Sequence, residues 1–214
     1  MRRYRSSLIL GVLVACSAPL ASPLTAQAAP EGRWLVRVRA LSLTANNGSD
    51  EIVTLGVPDN AITVSDKVFP EIDISYFIAR RIAFELVLTY PQQHDVKLSG
   101  TKIGTFKQLP PTLMAQYHMS PESTVRPYVG AGINVTFISD VKLAVPGVGK
   151  LDLESSSMGM AGQLGADIKL APKVFLNIDV KKALLSADVT LGASTISAVR
   201  VHPWLASVGL GFRP

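Results

Sequence analysis

Charged side chains recur at alternate positions of otherwise apolar stretches: Arg37 and Arg39, Glu71 and Asp73, Glu85, Asp167 and Lys169, Asp179 and Lys181. Both signs occur on this one face, so the chemistry it offers is ionic pairing in an enclosed space. The same face also carries apolar or small residues, Val87, Met114, Gly130, Gly132, Gly165 and Phe175, which would leave a path for a small apolar molecule. Bond-making chemistry has weaker support. His94, His118 and His202 are dispersed, and no His/Asp/Glu spacing reads as a metal cage or a serine-based triad. His118 beside Met119-Ser120 is the nearest thing to a cluster for a lipid-modifying rim, and its plainer role is an inward hydrogen-bonding group. No metal and no cofactor is implied.

Strands must position these residues. The stretch Leu109–Phe137 shows the pattern best: Pro111, Leu113, Ala115, Tyr117 and Met119 share one face, with Thr112, Met114, Gln116 and His118 opposite. After the turn Ser120–Thr124 the alternation resumes as Val129, Ala131, Ile133, Val135 and Phe137. A period of two over about ten residues is a strand between two environments, and about ten tilted residues suffice to cross a bilayer. The same pattern marks strands at Trp34–Ala40, Ile72–Tyr76, Ile82–Tyr90, Met160–Leu170, Val174–Val180 and Trp204–Phe212. The connections between the eight candidates alternate long and short, which puts both ends of the barrel segment on the short-turn side.

The apolar face itself is sorted by height. Trp34, Tyr76, Tyr117 and Phe212 fall at the short-turn ends, and Tyr90, Phe137 and Trp204 at the long-loop ends. Two aromatic bands around an aliphatic middle suit a bilayer with two interfaces; the core of a soluble sandwich has no reason to sort them. The expected fold is all-β: an eight-stranded antiparallel transmembrane barrel with four long external loops and three short periplasmic turns. In the long segments, the pairs Val96/Leu98, Val141/Leu143 and Val189/Leu191 extend the alternation, either as a wall with an apolar interior above the membrane or as local hairpin packing.

Bulk properties agree. The 214 residues suffice for one barrel, and hydrophobic residues make up 48% against 17% charged. The formal charge of +5 falls to +2 once Arg2, Arg3 and Arg5 are removed, because no acid precedes Glu31. Scattered basic residues leave no nucleic-acid footprint. Residues 1–28 read as a secretory signal, with a basic start, the apolar run Leu8–Ala15 and the small-residue site Ala26-Gln27-Ala28; residues 29–214 read as the barrel. Leu13-Val14-Ala15-Cys16 also resembles a lipoprotein box. Cys16 is the only cysteine, so a chain cut at Ala28 has no disulfide.

LPPTLMAQY (Leu109–Tyr117) followed by RPYVGAGINVTF (Arg126–Phe137) resembles the OmpW family of small outer-membrane proteins. FELVLTYP (Phe84–Pro91), GMAGQLGADI (Gly159–Ile168) and the His202-Pro203-Trp204 start of the last strand support it. The resemblance implies an eight-stranded barrel whose narrow, partly apolar lumen passes small hydrophobic molecules; some family members are receptors for phage or bacteriocins. Two features depart from it. Phe212 is followed by Arg213-Pro214 where such strands commonly end on the aromatic, and Lys181 stands where some relatives carry an aromatic.

Three functions follow as expectations: a passive channel for small hydrophobic solutes, a closed structural or receptor barrel, and a lipid-modifying enzyme, with a non-enzymatic role expected. The expected partners are outer-membrane lipid and lipopolysaccharide, small hydrophobic solutes and the barrel assembly machinery. Val87, Met114, Phe175 and Lys181 are the candidate lumen residues. The mature chain is expected to start at Ala29. Mass spectrometry of membrane-purified protein checks this, and a diacylated Cys16 terminus would refute it.

Overall fold

The structure, a computed structural model, describes residues 32–52, 57–191 and 194–214. The signal and the Cys16 box lie outside the described residues. In chain order the strands are β1 (Trp34–Thr44), β2 (Asn47–Ser49), β3 (Ile62–Val64), β4 (Lys67–Ala79) and β5 (Ile82–Leu88). Next come β6 (Gln92–Leu98), β7 (Thr101–Leu109), β8 (Thr112–His118), β9 (Val125–Val145) and β10 (Gly149–Leu153). The last are β11 (Ser156–Ala171), β12 (Val174–Ala183), β13 (Leu185–Leu191), β14 (Ser194–Val201) and β15 (Trp204–Phe212).

Eight of these close a barrel in the order β11-β12-β15-β1-β4-β5-β8-β9, and β9 returns to β11 from Ser156↔Phe137 to Ile168↔Val125. Every neighbour is antiparallel. From the lower rim up to the Ile72–Leu88 pair closure leaves no free edge, which a lipid environment demands because it cannot solvate a bare N–H or C=O. Short turns join the lower ends at Arg80-Arg81, 119–124 and Pro172-Lys173.

The period-two pattern is realised on both faces. β1 alternates exposed and buried from Trp34 to Thr44 without a break. Trp34, Tyr117 and Phe212 at the lower rim, and Tyr90, Phe137 and Trp204 at the upper rim, all point outward and are about half exposed. Between the rims the outer surface is aliphatic: Val38, Ile72, Leu86, Leu113, Ile133, Leu164, Val208 and Leu210. An exposed aliphatic belt between aromatic rims is a lipid-facing surface.

Above the upper rim the four long segments are not loose loops. They form a second tier of strands. β6 and β7 make a hairpin whose two-residue turn, Ser99-Gly100, has φ of 48° and 83°. Two successive positive φ values match the twist of a tight hairpin, and glycine takes the second at little steric cost. The hairpin pairs β3 on one side and the upper half of β9 on the other. β9 also continues into β10, which pairs β13, then β14 and β2. β9 therefore runs well past the expected end at Phe137. The apolar pairs read in the sequence meet here: Val96, Leu143 and Val189 are buried together with Ile62, Phe106, Leu151 and Val199.

Leu86→Arg should lower folding stability in lipid vesicles by about 2–4 kcal/mol, the cost of a cation on the lipid face at mid-depth. Glu85→Gln, one residue away but inside the lumen, should cost less. Denaturant titration of vesicle-inserted protein distinguishes the two, and equal losses would reverse the face assignment.

Candidate functional site

At membrane height the lumen holds an ionic lattice. Arg37 grips Asp167 with two parallel bonds, Nε to Oδ1 at 2.9 Å and Nη2 to Oδ2 at 2.7 Å. Its remaining Nη1 donates to Ser75 Oγ at 2.8 Å and Glu85 Oε1 at 3.0 Å. One turn of the strand pattern higher, Arg39 pairs Glu71 at 2.7 Å and Asp73 at 2.6 Å, and donates to Asn177 Oδ1 at 2.9 Å. Lys181 reaches Asp179 at 2.8 Å and, across β15 and β1, Glu71 at 3.1 Å. Gln163 donates to Glu85, Gln116 to Gln163, and Tyr128 to Asp179. All of these side chains are buried. An unpaired charge in such a place costs several kcal/mol, so each partner secures the other.

The inward glycines do not open a path through this lattice. A Cβ on Gly165 would meet the Tyr128 ring and Asp179, one on Gly130 would meet Gln163 and Gln116, and one on Gly132 would meet Met114 and the β8 backbone. Each glycine is vacant because a large neighbour fills its space. Lys169, read as inward, sits half-buried at the lower end of β11 opposite Phe175.

Above the lattice lies a cavity of about 100 Å³. Its walls are apolar, from Leu41, Ile62, Phe69, Val96, Phe106 and Leu143 among others. Polar groups lie at its floor, with Glu71 and Lys181 from the top of the lattice and Thr112, Asn134 and Thr136 from β8 and β9. Asn134 bonds Thr112 at 2.7 Å and Thr136 bonds Asn134 at 2.7 Å, so these floor groups are already partnered.

The four candidate residues divide between heights. Val87 and Met114 pack together with Ala161 where lattice meets cavity. Val87 lines the cavity, and so does Lys181. Phe175 is elsewhere: it packs with Leu35, Phe77 and Ala83 at the lower end, under the Arg126 guanidinium at 4.8 Å. His118 sits there too, between the rings of Phe77 and Tyr128, bonded to Gln116. That surrounding is the hydrogen-bonding role. Among the described residues no group of His, Cys, Asp or Glu could hold a metal ion.

The wall beside the cavity has a break. β4 and β5 pair only as far as Ile72↔Leu88, while β4 continues to Lys67 on its β1 side. β5 stops at Leu88 and β6 starts at Gln92, and β5–β8 pairing ends at Val87↔Thr112. Pro91, Pro110 and Pro111 fall in this interval and supply no N–H to a ladder. Thr89 Oγ1, buried without a hydrogen-bond partner, lines the cavity at this seam, as do Phe69 and Pro110.

Several cavity residues escape a reading by alternation. Phe106 lies on β7 at a register shift with β9, where Asp140 adopts φ of 49°. The shift reverses which parity points inward. Ile62 and Val64 carry only one repeat of the pattern, too short to stand out from the polar segment around them.

Three comparisons bear on this architecture. The family model described as "OmpW family" matches residues 30–214. An uncharacterized outer-membrane protein, y4mB, of Sinorhizobium fredii (strain NBRC 101917 / NGR234) is 36% identical over 205 residues, 92% of this chain and 86% of that protein. Outer membrane protein W of Vibrio cholerae serotype O1 is 31% identical, covering 86% of this chain and 89% of its own. In three dimensions the crystal structure of the outer membrane protein OprG from Pseudomonas aeruginosa aligns with a TM-score of 0.72 at 26% identity, covering 86% of this chain and 96% of that one.

His94, on β6 above the membrane, lines the cavity and is fully buried. Gln108 Nε2 donates to its Nε2 at 3.0 Å, so Nδ1 carries the proton toward Ser65 O at 3.1 Å. Burial pushes its pKa below the ordinary 6.5. The folded state therefore holds the ring neutral, its stability is full above about pH 6.5, and stability declines as the pH falls below that value and the unfolded ring takes up a proton. An NMR titration should show no His94 step as the pH passes 6.5, with thermal stability falling toward pH 5. A normal step would mean a solvated ring.

Proposed function

The chain belongs to the OmpW family and is an outer-membrane β-barrel, and we propose that it takes small apolar molecules from the cell exterior into the cavity above its lattice. The observation that carries this reading is the stacking of an apolar cavity directly on a lumen filled by paired charges. An apolar solute gains by entering the first and would have to strip ion pairs to cross the second. The axial route is thus the costly one.

The break between β4 and the β5–β6 junction supports a sideways exit. There the cavity is separated from lipid by side chains without a backbone ladder, and the outer surface at that height is apolar, with Val68 and Tyr90 exposed. A solute moving from cavity to bilayer passes mainly apolar side chains, with the Thr89 hydroxyl at the seam. The barrel would then act as a passive port for hydrophobic compounds, with Val87 at the base of the cavity, Met114 packed behind it and Lys181 capping the lattice beneath. Phe175, at the lower end, would brace the barrel and not touch solute.

Val87→Trp fills the base of the cavity without touching the lipid face. Uptake of a small aromatic hydrocarbon by cells carrying this variant should fall severalfold while the amount of folded barrel stays constant. Lys181→Ala, which disturbs the lattice and not the apolar walls, should leave uptake nearer to that of the unmodified protein. Unchanged uptake in Val87→Trp, or no uptake with the unmodified protein, would favour the closed receptor barrel.

A further inference from the structure

The upper tier is electrostatically lopsided. The outer surface of β6, β7 and upper β9 carries Lys97, Lys102, Lys107 and Lys142 against two acids, Asp95 and Asp140. The facing wall of β10, β13, β14 and β2, with Asp50 beside it, carries Lys150 and Arg200 against Asp50, Asp152 and Asp188. Arg200 is already paired with Asp50.

On the basic wall the register sets the charges side by side. Gln93, Lys107 and Ser139 lie across three adjacent strands, and Asp95, Thr105 and Lys142 across the same three one step higher. Each acid is shared. Asp95 pairs Lys102 at 2.8 Å, with Lys97 and Lys67 also depressing its pKa, and Asp140 pairs Lys107 at 2.7 Å beside Lys142. The wall therefore keeps an excess of cations after internal pairing. All four lysines are on the solvent side, Lys102 and Lys107 about half exposed.

Height identifies the partner. Leu109 pairs Phe137, the upper-rim aromatic. Lys107 stands two residues above that level and the Thr105–Lys142 pair four, about 7 and 13 Å along the strand and about 5 and 10 Å in height at a barrel strand's tilt. Those are the heights of a headgroup layer over an aromatic belt. We infer that this wall is a docking surface for the phosphorylated sugar headgroups of outer-leaflet glycolipid, which would seat the barrel with its basic side against them.

The test uses full-length barrel in uncharged detergent and measures binding of bis-phosphorylated lipid A by native mass spectrometry. A variant carrying Lys97→Gln, Lys102→Gln, Lys107→Gln and Lys142→Gln should bind at least about tenfold more weakly, given the attraction each surface lysine has for anionic lipid. Lys150→Gln with Arg200→Gln on the facing wall should bind as the unmodified protein does. Unmodified barrel offered lipid A stripped of its phosphates should bind as weakly as the fourfold variant, an arm that stands even if that variant does not fold. Heat-dependent gel migration reports folding. Equal binding by the fourfold variant, an equal loss on the facing wall, or undiminished binding of the phosphate-free lipid would each overturn the inference. Equally tight binding of inorganic phosphate would too, by reducing the wall to a free-anion site.

Discussion

Arg37 ties one side of the barrel to the other. It projects from β1, and its partners come from β11, β4 and β5. β11 is not a neighbour of β1 in the sheet; β15 and β12 lie between them. The bidentate grip on Asp167 is therefore made only when the cylinder has closed, and closure is tolerable only when the grip forms, since either charge alone in the lumen would be costly. Arg39 and Lys181 repeat the device one level up through Glu71. The inward glycines, the position of Tyr128 and the burial of Gln116 and Gln163 all follow from the need to give this lattice room and hydrogen bonds.

That constraint divides the molecule by height. Where the outside is lipid, the inside is full, with the ionic lattice at mid-height and Leu35, Phe77, Ala83 and Phe175 at the lower end. Above the upper aromatic rim, the outside is water and the inside turns apolar, with Val96, Phe106, Leu143 and Val189 facing one another. β9 crosses the rim, and the register shift around Asp140 moves its inward parity from Asn134 and Thr136 to Leu143. Elsewhere the ladders are interrupted by the proline-containing intervals between β5 and β6 and between β7 and β8.

This explains what could be read from the sequence. The eight spanning segments and the side each residue faces were legible because a strict period of two survives from rim to rim, as in β1. The aromatic rims were legible because lipid interfaces sort residues by type. The upper tier was legible only in part: Val96, Leu143 and Val189 stand out, but register shifts on both sides of β7 hide Phe106, and Ile62–Val64 is too short to show a period. The partners within the lattice were not legible, because Arg37 and Asp167 are separated by 130 positions and meet only through closure. Height was the other loss. Phe175 shares a face with Val87 yet lies at the opposite end of the lumen, and residue type carries no record of depth inside a filled barrel.

The change of polarity at the rim also separates two kinds of sensitivity to substitution. Residues of the lattice answer to one another, so a substitution at Glu71 or Asp179 is felt at once by Arg39 and Lys181. Phe106, Ile62 and Val199 pack instead with their apolar neighbours. They can vary singly, within the limits of apolar packing, and reshape the chamber above without reopening the question of whether the cylinder closes. A chain built on this plan can reshape its upper storey while its membrane-spanning half keeps the same closure.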